Sequence, residues 1–215
     1  MRFAWIDERP FNYEGPNGLT GCDVELAKAA FAAAGFTFEP VHTTFQELLP
    51  GLLDGRWDVT TGMFITDERQ TQARFTRPIW TLRDGLLVRR ECVEVDGCAA
   101  LAREGLTLAV LGGQVQADHA RRLGVAPGAL VEFDTYPDAA AAVLDGRVDA
   151  YASVALAHRQ HLSLLGGELR CVTVPDGEVP PALGAFACAS DEVRAALDGP
   201  LEGLLGPGVP GEPAA

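Results

Sequence analysis

No stretch of this 215-residue chain stays apolar for the ~18 residues that a membrane-spanning helix needs. Nor is there an excess of positive charge: 17 Lys and Arg stand against 30 Asp and Glu, a net charge of −13. The acidic residues are scattered rather than gathered in a tail, and both nucleic acid and anionic membrane demand a basic face, so neither is an expected partner. The five cysteines, Cys22, Cys92, Cys98, Cys171 and Cys188, contain no CxxC pair, which excludes a zinc ribbon or a dense disulfide framework. Buried free thiols are the default reading, with Cys92/Cys98 and Cys171/Cys188 as pairings open to an oxidising compartment. GxGxxG and P-loop motifs are missing, so nucleotide binding has little support. His158 and His161 share a helical face, but two ligands make a weak metal site and an exposed face is the plainer reading. No metal or cofactor is expected. Nothing in MRFAWIDERP has the build of a secretory signal, because a strand begins almost at once; the protein stays in the cytoplasm or its signal lies outside this chain.

What remains is a globular composition, 47% hydrophobic and 22% charged, long enough for one large or two small domains. The chain also echoes itself. TTFQELLPGLLDGRWDVTT (43–61) aligns without a gap against DTYPDAAAAVLDGRVDAYA (134–152). Each reads as an aromatic near a helix start, an apolar helix, the turn LDGR and a strand, with a glycine suited to the left-handed position that ends a helix. DVELAKAAFAAAG (23–35) is a helix with an acidic start and a glycine stop, set between strands RFAWI (2–6) and TFEPVH (37–42). LTLAVL (106–111), GQVQADHARRLG (113–124) and ALVEF (129–133) repeat strand, helix and strand. The alternation predicts two α/β lobes with mainly parallel sheets. TLRDGLLVRR (81–90) would carry the chain into the second lobe and ALGAFACAS (182–190) would return it. The expected lobes are residues 1–88 with 186–215, and residues 91–183, hinged near 88–90 and 183–188 around a cleft. The tail GPGVPGEPAA has loop composition and is expected to be mobile.

Ligands of open α/β sheets gather beyond the carboxyl ends of the strands. By that rule Asp58 and Asp149, which start their strands, are structural although they look like a carboxylate pair. Glu8 and Phe11 follow the first strand, Phe45 follows strand 37–42, and Thr61, Phe64 and Arg69 follow the first LDGR unit. Gly113, Gln114, Val115 and Gln116 follow strand 106–111, and Ser153 and Val154 end the strand after the second LDGR.

Arg69 has the planar fork that grips a carboxylate through two charge-assisted hydrogen bonds. Glu8 can pair with a cation, and the rings of Phe11, Phe45 and Phe64 attract one by ~0.5–2 kcal/mol apiece. Together they describe a site for a small zwitterion, with Thr61 and Ser153 as reserve acceptors. A plain alternative stands beside each: a solvated arginine, a loop acid, core phenylalanines. The two glycines of LGGQVQADHA (111–120) expose backbone N–H groups to an anion at the helix start, or mark only a turn.

From residue 2 to 200 the chain resembles the polar amino-acid family of extracytoplasmic solute-binding proteins that feed ABC importers. The resemblance is carried by PFNYEGPNGLTGCDVELAKAAFAAAG, FQELLPGLLDGRWDV, GMFITDERQTQARFTRPIW and LDGRVDAYA. It implies a type II periplasmic-binding-protein fold, two α/β lobes joined by two hinge strands, that traps its ligand by closure. It further implies a monomer without enzymatic activity, located outside the cytoplasm, whose partner is a membrane-embedded permease and whose Arg69 holds the ligand carboxylate. Two positions depart from the family pattern. Val154 stands where binders of ordinary α-amino acids carry an aspartate for the ammonium, and Phe64 replaces a small hydroxyl residue. IDERPFNY, with an aromatic five residues before Arg69, is similar to the ectoine and hydroxyectoine binders, although Asp7 stands where those have asparagine. The similarity implies a cage of Glu8, Phe11, Phe45 and Phe64 around a delocalised or alkylated cation, with Gly113 to Gln116 covering the carboxylate side. The chain ends in LEGLLGPGVPGEPAA, where the family has a helix with a tryptophan-containing segment. Two rival functions share the scaffold: a cleft enzyme such as a cyclohexadienyl dehydratase, for which Glu8 is the obvious acid, and a ligand-sensing module.

Overall fold

In the computed structural model, which describes residues 1–165 and 167–213, the chain opens with β1 (Arg2–Trp5), the hairpin β2 (Tyr13–Gly15) and β3 (Gly18–Thr20), and helix α1 (Cys22–Ala33). It continues through β4 (Glu39–His42), α2 (Leu48–Leu53), β5 (Val59–Phe64), α3 (Asp67–Gln72), β6 (Arg74–Phe75) and β7 (Trp80–Leu82). The second stretch holds β8 (Asp84–Arg89), α4 (Cys98–Glu104), β9 (Leu108–Leu111), α5 (Gln116–Arg122), β10 (Leu130–Phe133), α6 (Tyr136–Leu144), β11 (Ala150–Val154), α7 (Ala155–Leu165) and β12 (Leu169–Thr173). The chain closes with β13 (Ala182–Cys188) and α8 (Asp191–Leu205).

Two units result, one built from Met1–Thr81 with the residues from Ala182 on, the other from Leu82–Pro181. The first sheet runs β4-β1-β5-β13-β6, and the second β10-β9-β11-β8-β12. In each, the first three strands are parallel and the fourth runs antiparallel to the third. The echo in the sequence is therefore an echo in topology. β5, β9 and β11 are buried almost throughout, as strands covered on both faces must be.

Both LDGR turns end their helices on a left-handed glycine, Gly55 at φ 68° and Gly146 at φ 71°. The two aspartates that follow do the same work in each unit. Asp58 accepts from the Arg2 backbone N–H at 2.8 Å, and Asp149 from the Thr107 backbone N–H at 2.9 Å. Each pins the start of its strand to the neighbouring strand of the sheet, as a structural carboxylate would. These bonds, with the Arg2 and Arg89 guanidinium groups, hold both carboxyls below the ordinary range against the opposing effect of burial.

Three expectations need correcting. Passage between the units falls at 81–82 and 181–182, not at 88–90 and 183–188. The reason is pairing: Val88 lies opposite Ala150 and Arg170 in the second sheet, and Phe186 opposite Gly62 in the first. Secondly, the tail is tied down, since the Thr81 hydroxyl donates to the Pro210 carbonyl at 2.8 Å and Arg77 Nη2 to that of Gly208 at 3.0 Å; the last two tail residues, 214 and 215, lie outside the described ones. Ahead of it α8 stays helical despite Pro200, which has no N–H to offer the preceding turn, because Leu197 and Leu201 are fully buried. Thirdly, His158 is not on an exposed face. It is fully buried, with Nδ1 at 2.6 Å from the Tyr136 hydroxyl. All five cysteines are free thiols, and no described helix is long and apolar enough to cross a membrane.

Candidate functional site

The first unit gathers its candidates around the loop after β1. Glu8 and Asn12 exchange backbone hydrogen bonds at 2.9 and 3.0 Å, which closes the turn that carries Phe11. The Pro10 and Phe11 carbonyls accept from the N–H groups of Cys22 and Asp23, so this loop is seated on the start of α1. Gly21 permits the approach: its φ of 125° suits glycine, and a side chain there would collide with the Phe11 carbonyl.

Beneath the loop runs a buried polar chain. Asn12 Nδ2 donates to Thr61 Oγ1 at 2.7 Å, and Thr61 Oγ1 donates to Asp23 Oδ2 at 2.8 Å. The Gly62 N–H also reaches Asp23 Oδ2, and Trp80 Nε1 reaches Oδ1 at 3.2 Å. Burial pushes the Asp23 carboxyl up to about 6, although the bonds from Thr61, Gly62 and Trp80 pull it down. The Thr61 hydroxyl is thus engaged inside the unit, where it positions Asn12 and Asp23 rather than standing ready for a ligand.

Trp80, which sequence reasoning passed over, is held by that chain and forms the wall between two predicted rings. Its ring centre lies 5.9 Å from that of Phe11 and 5.4 Å from that of Phe64, the latter edge to face. A signal was present in the sequence, an aromatic residue just past the FTRPI segment, but nothing local ties it to Asp23. Gly184 of β13 lets the indole lie flat, because a methyl there would overlap the ring. Gly184→Ala is accordingly expected to destabilise the protein by about 2–3 kcal/mol and to redden tryptophan emission; an unchanged melting temperature and spectrum would refute this packing.

Arg69 occupies the first turn of α3, where the Thr66 hydroxyl caps its N–H. Its Nη1 donates to the Phe64 carbonyl at 2.8 Å, and its guanidinium lies 5.4 Å from the centre of the half-buried Phe45 ring. At 7% exposure it is not a solvated surface charge. Phe45, Arg69, Phe64, Trp80 and Phe11 therefore form one contiguous series in the first unit, with Glu8 on the same loop as Phe11.

The second unit brings together the rest. The backbone donors expected of its loop are partly spent, since the N–H of Gly112 bonds the Phe133 carbonyl and that of Gln114 bonds the Leu111 carbonyl. The helix also begins at Gln116, later than the 113 expected. Ser153 and Val154 are buried at the end of β11 and pair with Gly85 and Asp84 of β8. Asp84 is the residue that sequence reasoning missed here. It is 4% exposed, its Oδ1 accepts from Gln116 Nε2 at 2.9 Å, and its Oδ2 lies 2.6 Å from His119 Nδ1. Among the described residues no group of three or more His, Cys, Asp or Glu could hold a metal ion.

The chain is similar to known proteins in sequence and in fold. A protein of Sinorhizobium fredii described as a "Probable amino-acid ABC transporter periplasmic-binding protein" is 29% identical over 198 residues, which make up 87% of this chain and 65% of that relative's length. An ancestral arginine-binding protein bound to arginine superposes with a TM-score of 0.85 at 24% identity, covering 97% of this chain and 93% of that one. EhuB in complex with hydroxyectoine superposes with a TM-score of 0.87 at 21% identity, covering 94% and 82%. The fold is the type II periplasmic-binding-protein fold. The family model of the bacterial extracellular solute-binding proteins, family 3, matches residues 2–199. The chain belongs to that family.

Proposed function

We propose that this chain is the ligand-capturing component of an ABC importer, acting outside the cytoplasm and delivering a small zwitterion to membrane-embedded permease subunits. The observation that carries the reading is Arg69, set between the Phe45 ring and the Phe64 carbonyl. A buried guanidinium set between a ring and a backbone carbonyl is a planar, permanently charged fork, and a carboxylate matches that geometry. Phe11, Phe45 and Phe64, with Trp80 behind two of them, supply apolar surface for the body of the ligand. Glu8 supplies the carboxylate for its positive end. A delocalised ring cation is weakly hydrated, so ring faces and one carboxylate replace its water at little desolvation cost. Ectoine or hydroxyectoine is the first candidate on these grounds, and the hydroxyectoine complex of the similar EhuB structure supports it.

A thermal-shift panel of ectoine, hydroxyectoine, betaines and the twenty amino acids tests the assignment. A ligand at ~100 times its Kd adds ~2.7 kcal/mol of stability, which such a scan resolves. The largest shift is expected for ectoine or hydroxyectoine. A plain α-amino acid giving the largest shift, with none for ectoine, would replace the ligand while leaving the binding role intact. A second reading, a cleft enzyme on the same scaffold, draws on the buried Asp84–His119 pair, since a positioned acid is what such chemistry needs. Turnover of prephenate or arogenate would establish it.

A further inference from the structure

The first unit buries a carboxyl that meets no charge of opposite sign. Asp23 lies in the first turn of α1, and among the described residues no lysine, arginine or histidine pairs with it. Donors surround it instead: the Thr61 hydroxyl and the Gly62 N–H on Oδ2, Trp80 Nε1 and, at 3.9 Å, the Cys22 thiol on Oδ1. Cys22 is the titratable group among them, and burial pushes its thiol up, away from neutral pH. The charges of the neighbouring elements are engaged elsewhere. Lys28 of α1 pairs with Glu25, and Arg9 of the loop after β1 lies over the Tyr13 ring. Arg194 of α8, which packs on α1, pairs with Asp191 and Asp198, and Arg69 donates to the Phe64 carbonyl. Glu8 shares its turn with Asn12, at the far end of the buried chain.

That chain can run in two directions. The Thr61 oxygen stands 2.8 Å from Asp23 Oδ2, 2.7 Å from Asn12 Nδ2 and 3.0 Å from Asn12 Oδ1, and one hydroxyl has one proton to give. With Asp23 ionised, Asn12 Nδ2 donates to Thr61 and Thr61 donates to Asp23. With a proton from water on Oδ2, Asp23 donates to Thr61 and Thr61 donates to Asn12 Oδ1. No donor is left facing a donor along the chain in either form. The Gly62 and Trp80 bonds, however, lose their charge assistance in the second.

We propose that Asp23 is the positioning residue of the aromatic series and its proton switch. Its protonation state, relayed by Thr61 to Asn12 and by Trp80 to Phe11 and Phe64, sets how firmly the first unit holds a cation. The ionised form is the tighter one. An indole N–H given to a carboxylate anchors Trp80 more strongly and enriches its ring in negative charge, and cations are drawn to such ring faces. Burial raises Asp23 to about 6, which places the step between neutral and mildly acid conditions. The effect on affinity rests on the proposed binding function; the effect on Trp80 does not.

The indole N–H of Trp80 is one of three in the chain, and its absence from Trp80→Phe assigns it in proton–nitrogen correlation spectra. In the ligand-free wild type that resonance is expected to move upfield from about pH 7.5 to 5, with a midpoint near 6. In Asp23→Asn it should stand still. Ectoine and L-arginine, titrated calorimetrically over the same range, should bind about three- to tenfold more weakly at the acid end. Coupling is reciprocal, so a saturating amount of the probe that binds should lower the indole midpoint by about half to one pH unit. A wild-type resonance that does not titrate, or one that titrates equally in Asp23→Asn, overturns the switch. A titrating resonance with affinity unchanged across the range overturns its coupling to the cation. If neither probe binds, the proposed function fails and the indole still decides the switch. Should Asp23→Asn fail to fold, Thr61→Val takes its place, since it removes the hydroxyl that serves both forms. An unmoved midpoint in that variant refutes the relay, and a shift of about half a pH unit or more upholds it.

Discussion

Arg69→Ala is expected to weaken ligand binding by about 2–5 kcal/mol, at least 30-fold, because it strips the partner from a carboxylate that has been taken out of water. The substitution acts on the fold as well. Arg69 is buried and bonded to the Phe64 carbonyl, and it lies over the Phe45 ring. An arginine reserved for a ligand alone would leave stability untouched when removed. This one is part of the packing, and loss of its bond to Phe64 and its contact with Phe45 should cost roughly 1–2 kcal/mol of stability. Arg69→Lys separates the two effects. It keeps the charge but not the fork, so it should bind measurably though more weakly than wild type, since a point charge cannot make two parallel bonds. Calorimetry on folded variants checks both results. Near-normal affinity in Arg69→Ala would sink the assignment.

Acidification from pH 7 to 5 is expected to cost the second unit about 2 kcal/mol through His158. Burial lowers this histidine to about 3, well under its ordinary value near 6.5. The folded state therefore keeps the ring neutral while the unfolded state takes up a proton. The stability is full above the unfolded value and is lost as pH falls towards 3. His161, half-buried and also lowered, acts with the same sign.

The first unit responds in the opposite sense. Asp23 is raised to about 6, so the fold binds its proton before the unfolded chain does, and this group adds stability as pH falls from about 6 to 4. Asp58 and Asp149 are lowered, so their contributions persist until pH falls below the ordinary carboxylate range. Trp5, Trp57 and Trp80 all lie in the first unit, whereas Tyr136 and Tyr151 lie in the second. Far-UV ellipticity should accordingly fall before tryptophan emission shifts during an acid titration. His158→Gln should flatten the dependence between pH 7 and 5. An equal slope in that variant, or coincident transitions by the two probes, would show that His158 does not govern the acid response.

The division between what the sequence determined and what the tertiary structure decided follows the range of the forces involved. Local pattern was enough for the two α/β units, because helix and strand periods, the glycines at 55 and 146 and the aspartates at 58 and 149 act within a turn or between neighbouring strands. Arg69 was legible for a similar reason: the ITDER segment supplies the cap at Thr66 and sets the arginine in the first turn of a helix beside Phe64. The rest depended on residues far apart in the chain. Trp80 becomes a wall only because Asp23, 57 positions earlier, accepts its N–H, and the same aspartate takes the Thr61 hydroxyl away from any ligand. Asp84 reads as one more residue of a passing strand until Gln116 and His119, 32 and 35 positions on, close on it. The boundary between units moved because β8 pairs with β11 and β12, and strand pairing is a choice among distant partners. His158 was placed on an exposed face because i,i+3 spacing states which residues share a helix face, not which face is covered. That is decided by what packs against it, here Tyr136 and Tyr151, and burial in turn sets whether the ring can carry a charge.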